Sequence, residues 1–312
     1  MIEPKRASRS RHRPKEFVMT SLQTIVESSD PVNELLTHPH AMQRLGRAAA
    51  TAEATGVRIE RGRGQSVTET LADETPVTLV FNLAPYAVMM ATPSDLEDFA
   101  IGFSLTEGIV RRSSDISAVS FVRYARGIEL HIEIPTELSA AVRERQRRLA
   151  GRTGCGICGA SSVDDVLREL LPVRTGLSIE ASAITRAMNE LIERQPLNDE
   201  TGAVHAAAWA GRDGALMFVR EDVGRHNALD KLVGAVVSAS TPAHDGFVVV
   251  TSRASFELVQ KAAILGVPLL AAVSAPTALA VRVAHSVGLT LAGFARDERL
   301  TVYTHSARIQ SN

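Results

Sequence analysis

The two cysteines of this chain stand three apart, in Gly151-Arg152-Thr153-Gly154-Cys155-Gly156-Ile157-Cys158, with Gly159 and Ala160 closing the stretch. Four glycines within nine positions strip bulk from beside the sulfurs, so the backbone can turn tightly and a partner can approach closely. Only a thiolate attacks sulfur or binds metal well, and an ordinary thiol with pKa ~8.5 is mostly protonated at neutral pH. Arg152 precedes Cys155 by three residues, and a helix N-terminus is expected after Cys158, with Ser161 as cap and Asp164 and Asp165 in the first turn; both effects favour the anion.

Four chemistries compete for this C-x-x-C pair. A structural zinc needs four ligands and would have to borrow His205, His226 or a carboxylate; a catalytic zinc needs three. The zinc-deaminase order, H-x-E followed by P-C-x-x-C, is not met, because here the cysteines precede Val204-His205-Ala206-Ala207. A thioredoxin-like exchanger places its pair at the end of an apolar strand, whereas residues 141 to 154 are basic and glycine-rich. Sulfur transfer through a persulfide on one thiol fits best, although the loop's own residues exclude none of the four outright.

A second constellation is Arg220-Glu221-Asp222-Val223-Gly224-Arg225-His226-Asn227-Ala228-Leu229-Asp230-Lys231. It opens a helix directly after a strand, so Asp222 is a candidate cap and Gly224 a site of close backbone approach. A capped helix with a charged surface is the ordinary reading. Yet Arg220, Arg225, His226, Asn227 and Lys231 gather within twelve residues, at the kind of junction where α/β sheets bind anions. Thr251-Ser252-Arg253-Ala254-Ser255 and Ser274-Ala275-Pro276-Thr277 occupy the equivalent places after the next two strands. Phe294-Ala295-Arg296-Asp297-Glu298-Arg299 adds an aromatic face for a base and two arginines for phosphate; a charged β-turn is its ordinary reading.

These loops require a scaffold, and periodicity supplies one. Val77 to Phe81 and Tyr86 to Met90 read as a hairpin, followed by a helix with Ser94 and Glu97 as capping box, Leu96, Phe99, Ala100 and Phe103 as its apolar stripe, and Gly108 as its C-terminal glycine. Val119 to Tyr124 and the alternation Ile128, Leu130, Ile132, Ile134 form a second hairpin. A helix is expected over Thr136 to Ala150, whose arginines read as a solvated face, and another on the stripe Ile184, Ala187, Met188, Leu191 and Ile192. From Thr201 strands and helices alternate: Val204–Trp209, Leu216–Val219, a helix through Ala228 to Val236, Phe247–Thr251, a helix Phe256–Leu265, Pro268–Ser274, a helix Thr277–Ser286, then Leu289–Gly293 with Leu300–Thr304. Strands apolar throughout, separated by helices of about ten residues, imply a sheet covered on both faces.

The expected architecture is a three-layer α/β domain preceded by a smaller α+β one. Residues 1–57 are expected to be a mobile extension, 58–150 the smaller domain, and 151–312 the cysteine loop with the α/β domain. A chain of 312 residues with 45% hydrophobic content can fill such cores. Its net charge of -1, from 34 basic and 35 acidic residues, gives no overall field for nucleic acid. No apolar run approaches the ~20 residues needed to cross a bilayer, and the basic opening is not followed by the apolar core of a signal peptide. Two cysteines in so long a chain point to a reducing compartment, the cytoplasm by default.

Taken together, these segments resemble the formate dehydrogenase accessory proteins over roughly residues 65 to 306. The resemblance is carried by Met90-Ala91-Thr92-Pro93-Ser94-Asp95-Leu96, Gly102-Phe103, Glu107-Gly108, the Cys155–Gly159 loop, Thr201 to Ala207, the Arg220 to Lys231 stretch and Ser252-Arg253. Ala203 departs from it, standing where a second glycine is expected. The resemblance implies a sulfur carrier: a cysteine desulfurase loads a persulfide, and the sulfur passes to the molybdenum of a bis-molybdopterin guanine dinucleotide cofactor bound for apo formate dehydrogenase. It implies a cytidine-deaminase-like fold, a homodimer, the persulfide on Cys155 with Cys158 as partner, and guanine-dinucleotide contacts at Phe294 to Arg299. Arg225, His226, Asn227, Ser252 and Arg253 complete the candidate binding set, with no tightly held metal expected. Two rivals stand beside this reading, a zinc-dependent nucleotide deaminase and a non-catalytic cofactor chaperone.

Overall fold

The computed structural model describes residues 50–149, 170–174 and 176–310. The sequence up to residue 49, the cysteine loop with Cys155 and Cys158, and the helix expected from Ser162 or Val163 lie outside the described residues.

The chain opens on a long hairpin, β1 (Thr51–Glu60) and β2 (Arg63–Ala72), so residues 51–57, expected to belong to the extension, are strand. Apolar periodicity does not reveal this hairpin because it is solvent-facing, its alternation carried largely by threonines. Next come β3 (Thr75–Phe81), β4 (Ala84–Ala91), helix α1 (Leu96–Thr106), β5 (Ala118–Tyr124), β6 (Gly127–Glu133) and α2 (Thr136–Leu149). The strands form a sheet in the order β4-β3-β6-β5 with β3 and β6 parallel. As the alternation requires, Ile128, Leu130 and Ile132 are buried, and they pack with Phe99 and Phe103 of α1.

The capping box expected at α1 does not form. The helix begins one residue later, with Asp95 as cap in a left-handed conformation (φ 50) and no side-chain cap bond. Its C-terminus closes as the sequence indicates. Gly108 takes φ 64, and the N–H groups of Gly108 and Ile109 donate to Leu105 O and Ser104 O at 2.9 Å each, the paired bonds that a glycine just past the helix allows.

The second unit contains β7 (Ile179–Glu180), α3 (Ala181–Glu193), α4 (Pro196–Thr201), β8 (His205–Gly211), β9 (Leu216–Asp222), α5 (Arg225–Ser238), β10 (Gly246–Val250), α6 (Phe256–Leu265), β11 (Leu269–Ala272), α7 (Ala278–Ser286), β12 (Thr290–Arg296), β13 (Arg299–Val302) and β14 (Ile309–Gln310). Six strands make one sheet in the order β13-β12-β11-β10-β8-β9. β10, β11 and β12 are parallel, and the outer strands run antiparallel to their neighbours. One face carries α5, α6 and α7 over Val248, Val250, Leu270 and Leu291; the other carries α3 over Phe247, Val249, Leu269 and Ala271. This is the expected three-layer arrangement, with strands buried on both faces. Ile192, placed on the stripe of α3 by sequence, is 54% exposed, whereas Ile184, Ala187, Met188 and Leu191 are buried.

The two units meet along α1 and α5, which run antiparallel and close. A Cβ on Gly102 would strike Asp230 O, and one on Gly234 would strike Asp98 O. Below them Lys261 donates to Asp230 Oδ1 (2.7 Å) and to Thr106 Oγ1 (2.9 Å). Among the described residues no helix is long and apolar enough to cross a membrane.

Candidate anion-binding edge

Strand direction brings the candidate loops to one edge of the large sheet. Val250 at the end of β10 lies beside Ala207, near the start of β8, and beside Ala272 at the end of β11. His205 opposes Asp222, where β9 ends and the chain turns into α5. The ends of β9, β10, β11 and β12 therefore share an edge with the start of β8. Neighbouring strands sit ~4.8 Å apart, so the ends of β10 and β12 are roughly 10 Å from each other. Hydrogen bonds stitch the rim together: Thr277 N–H donates to Ala254 O (3.0 Å), Phe294 N–H to Ser274 O (3.2 Å), and Ala206 N–H to Thr251 Oγ1 (2.9 Å).

The Arg220 to Lys231 stretch divides in two, and most of its charges face inward. Arg220 grips Asp98 through Nε (2.8 Å) and Nη2 (2.7 Å). Glu221 accepts from the N–H groups of Leu197 (3.0 Å) and Asn198 (2.9 Å), holding the start of α4. Asp222 and Lys231 are fully buried and joined at 2.7 Å. Lys231 Nζ also donates to Thr92 O (2.9 Å), Thr92 N–H to Asp222 Oδ2 (3.0 Å), and Val223 N–H to Thr92 Oγ1 (3.1 Å). Asn227 turns inward as well, donating to Met90 O (2.8 Å) and Asp222 Oδ1 (3.0 Å). Asp222 does not cap α5; Gly224 holds that position and donates its N–H to Asp222 Oδ1 (2.8 Å). The stretch is thus chiefly a seam to residues 90–98, and its side chains left at the edge are Arg225 and His226.

Around those two gathers a compact polar group. His226 Nε2 stands 3.5 Å from Ser255 Oγ and 3.6 Å from Glu257 Oε2. Burial pushes the Glu257 carboxyl up, but hydrogen bonds from His226 and Ser255 and the charge of His226 outweigh it and bring the pKa to about 2. Burial is the main cause that holds His205 below its ordinary value; the charges of Arg225 and His226 add to it, against Asp222. Arg225 Nε is buried without a hydrogen-bond partner among the described residues, an arrangement that favours an anionic acceptor. Ser252 is buried and donates to Arg253 O (3.0 Å), while the Arg253 side chain is exposed.

At the far end of the edge, β12 and β13 are joined by Asp297 and Glu298, both left-handed (φ 52 and 61). Arg296 therefore sits opposite Arg299, and like charges directly opposed on a hairpin repel. Phe294, also left-handed, is 37% exposed. Ala295 is fully buried in the core, so it offers a ligand only backbone. The sequence pattern does not single out Glu257, and it offers His205 as a borrowed zinc ligand and as part of the Thr201 to Ala207 segment. A carboxylate in the first turn after a hydroxyl-rich loop was the available signal for the first, and the residue's place at a strand start for the second. Among the described residues no group of three or more His, Cys, Asp and Glu is arranged to hold a metal.

Known proteins agree on what this arrangement belongs to. The model of the FdhD/NarQ family matches residues 72–310. A Xanthomonas euvesicatoria protein named sulfur carrier protein FdhD is 53% identical over 248 residues, covering 80% of this chain and 88% of that one. A protein of the same name from Cupriavidus necator is 51% identical over 253 residues, covering 81% and 88%. A crystal structure described as a formate dehydrogenase accessory protein from Desulfotalea psychrophila superposes with a TM-score of 0.67 at 25% identity, over 84% of this chain and 100% of that one. With the fold and more than two thirds of its length shared in this way, the chain belongs to the FdhD/NarQ family.

Proposed function

We propose that this chain is a sulfur carrier for formate dehydrogenase, that Cys155 bears the sulfur as a persulfide, and that the sheet edge receives the molybdenum cofactor as substrate. The observation that carries the second half is the convergence of Arg225, His226, Arg253, Arg296 and Arg299 with strand-end N–H groups on one edge of a chain whose overall charge is near zero. Guanine-dinucleotide phosphates need such cations, and the opposed Arg296 and Arg299 would be relieved by an anion between them. Phe294 offers a face for a base, while Asp297 and Glu298 offer acceptors to the N–H groups of guanine.

In the loading step the Cys155 thiolate attacks the terminal sulfur of a desulfurase persulfide. One S–S bond forms as the donor's breaks, and the donor cysteine leaves as thiolate. Cys158 supplies release without an outside reductant: its thiolate attacks Cys155 Sγ, freeing sulfide as HS⁻ and leaving a Cys155–Cys158 disulfide. The partners are then a cysteine desulfurase, apo formate dehydrogenase and a second copy of the chain. The finer fold assignment, cytidine-deaminase-like, is supported by the mixed six-stranded sheet with helices on both faces.

Incubation with a cysteine desulfurase and cysteine is expected to add one reducible sulfur atom, read by intact-protein mass spectrometry and absent in Cys155→Ala. An unchanged wild-type mass, or an equal gain in the variant, defeats the assignment. One tightly bound zinc per chain would favour the deaminase instead. A Cys155→Ala protein that still supports formate dehydrogenase activity would favour a non-catalytic chaperone.

A further inference from the structure

A carboxylate beside Arg225 and His226 works against anion binding, yet one is built in there. Glu257 lies in the first turn of α6, where an acid serves the helix by facing its free N–H groups. Its carboxylate instead stands 3.6 Å from His226 Nε2 and accepts a hydrogen bond from Ser255. Ser255 is diverted in the same way. It occupies the N-cap of α6, where a serine ordinarily accepts from the helix, but its side chain makes no cap bond and its Oγ stands 3.5 Å from His226 Nε2. Two residues that α6 could use for itself are thus turned toward one imidazole. The first turn of α5 is the converse: it has no acid of its own and begins Arg225-His226, so two basic side chains share the positive end of a helix. Such an arrangement is relieved by an anion.

Charges at this corner nearly cancel, which leaves the balance to one ring. Among the described residues, the charged and titratable groups about His226 are Glu257 from α6, His205 from the start of β8 and Arg225 beside it in α5. Arg225 is cationic at every working pH, and Glu257, with its pKa at about 2, is anionic, so the two offset each other. Burial above all holds His205 toward its neutral form; Asp222 behind it is paired with Lys231. Arg253, two residues before Ser255, is exposed. The charge of the corner is therefore the charge on His226, and histidine titrates between about pH 5 and 8.

Resting on the reading of the sheet edge as the seat of the cofactor's phosphates, we infer that His226 is a proton-dependent grip on them, charged to bind and neutral to release, with Glu257 as its positioning residue. Glu257 and Ser255 hold the ring by Nε2. Nδ1 meets no hydrogen-bond partner among the described residues, and the side chain is 26% exposed, so Nδ1 is the nitrogen offered to a phosphate oxygen. While the ring carries its proton, the Glu257 charge is covered; once the proton is lost, that charge faces the phosphate and repels it. Anion affinity is then highest at low pH and falls as pH rises through the titration of the ring.

Calorimetric titration of the full-length chain with GDP, from about pH 5.5 to about pH 8.5 across the histidine range, tests this grip, with circular dichroism of each variant to verify folding. GDP changes its own charge over that range, and comparing each variant with wild type at the same pH removes that contribution. His226→Gln is expected to bind at least ~10-fold more weakly than wild type at the acid end, the scale of one charge-assisted hydrogen bond, and nearly as well at the alkaline end. His226→Lys keeps its charge throughout and is expected to bind at least ~10-fold more tightly than wild type at the alkaline end. Glu257→Gln is expected to bind more tightly than wild type there, with the gain shrinking toward the acid end, whereas a purely structural Glu257 would give the same loss at every pH. A wild type that binds no GDP at any pH overturns the phosphate seat and the grip with it. GDP binding with a constant ratio between wild type and folded His226→Gln overturns the grip alone, as does a uniform loss in Glu257→Gln or a His226→Lys protein no tighter than wild type at the alkaline end.

Discussion

Lys231 illustrates how differently a charge reads in sequence and in space. In the chain it stands among Arg220, Arg225, His226 and Asn227 as one of a cationic group; in the fold it is buried against Asp222, with Thr92 O as a second acceptor. Thr92 lies 139 residues away in sequence, and no local pattern connects the two, so the density of charge was legible and its direction was not. Arg225 and His226 are the pair that remain at the edge, and their charges add to the burial that holds the His205 pKa down. Because its folded pKa is depressed, protonation favours the unfolded chain, and the stability His205 contributes is lost as pH falls from its unfolded value of about 6.5 through the folded one. Arg225→Gln removes one of the lowering charges, so NMR titration is expected to show the His205 pKa rising toward 6.5. A pKa that stays put or falls would show that Arg225 does not face this ring.

At the scale of elements, helices with an apolar stripe were readable to within one to three residues at each end. The span Phe256–Leu265 is the same in sequence and structure, and the helix expected at Thr277 begins one residue later, capped by Thr277 Oγ1 accepting from Ala280 N–H at 3.1 Å. What failed were elements whose pattern is not apolar. The β1–β2 arm has no buried face to impose alternation, and α1 starts behind a left-handed Asp95 rather than at the Ser94 and Glu97 box. The α1–α5 contact yields a prediction whose sign is diagnostic. Alanine is a better helix former than glycine by up to about 1 kcal/mol, so Gly234→Ala would stabilise an uncrowded helix. Here the added methyl meets Asp98 O, and overpacking of this kind costs typically ~1 to 3 kcal/mol. Urea denaturation is expected to show a lower midpoint with an unchanged slope; a raised midpoint would mean the helices do not approach as described.

Across the whole molecule, the strand-end loops were placed on one edge by the alternation of strands and helices, and the structure agrees. The assignment of each loop to a ligand is what calorimetry can examine. Charge-assisted hydrogen bonds contribute roughly 1.5 to 3 kcal/mol each, so Arg296→Ala/Arg299→Ala is expected to weaken GDP binding by at least ~10-fold. Undiminished affinity would remove Phe294 to Arg299 from the binding edge. The seam between Thr92 and Lys231 carries one more implication, for descent rather than for chemistry. Asp222, Asp230, Lys231 and Lys261 are each held by groups on two separate segments, Asp98 is held by Arg220, and several of these contacts join opposite sides of the α1–α5 contact. Halves taken from two distant relatives would leave interior charges facing the wrong neighbours. The portion before the cysteine loop and the portion after it are therefore inherited as a matched pair, and chimeras joined within the loop are expected to fold only when both parents share this wiring.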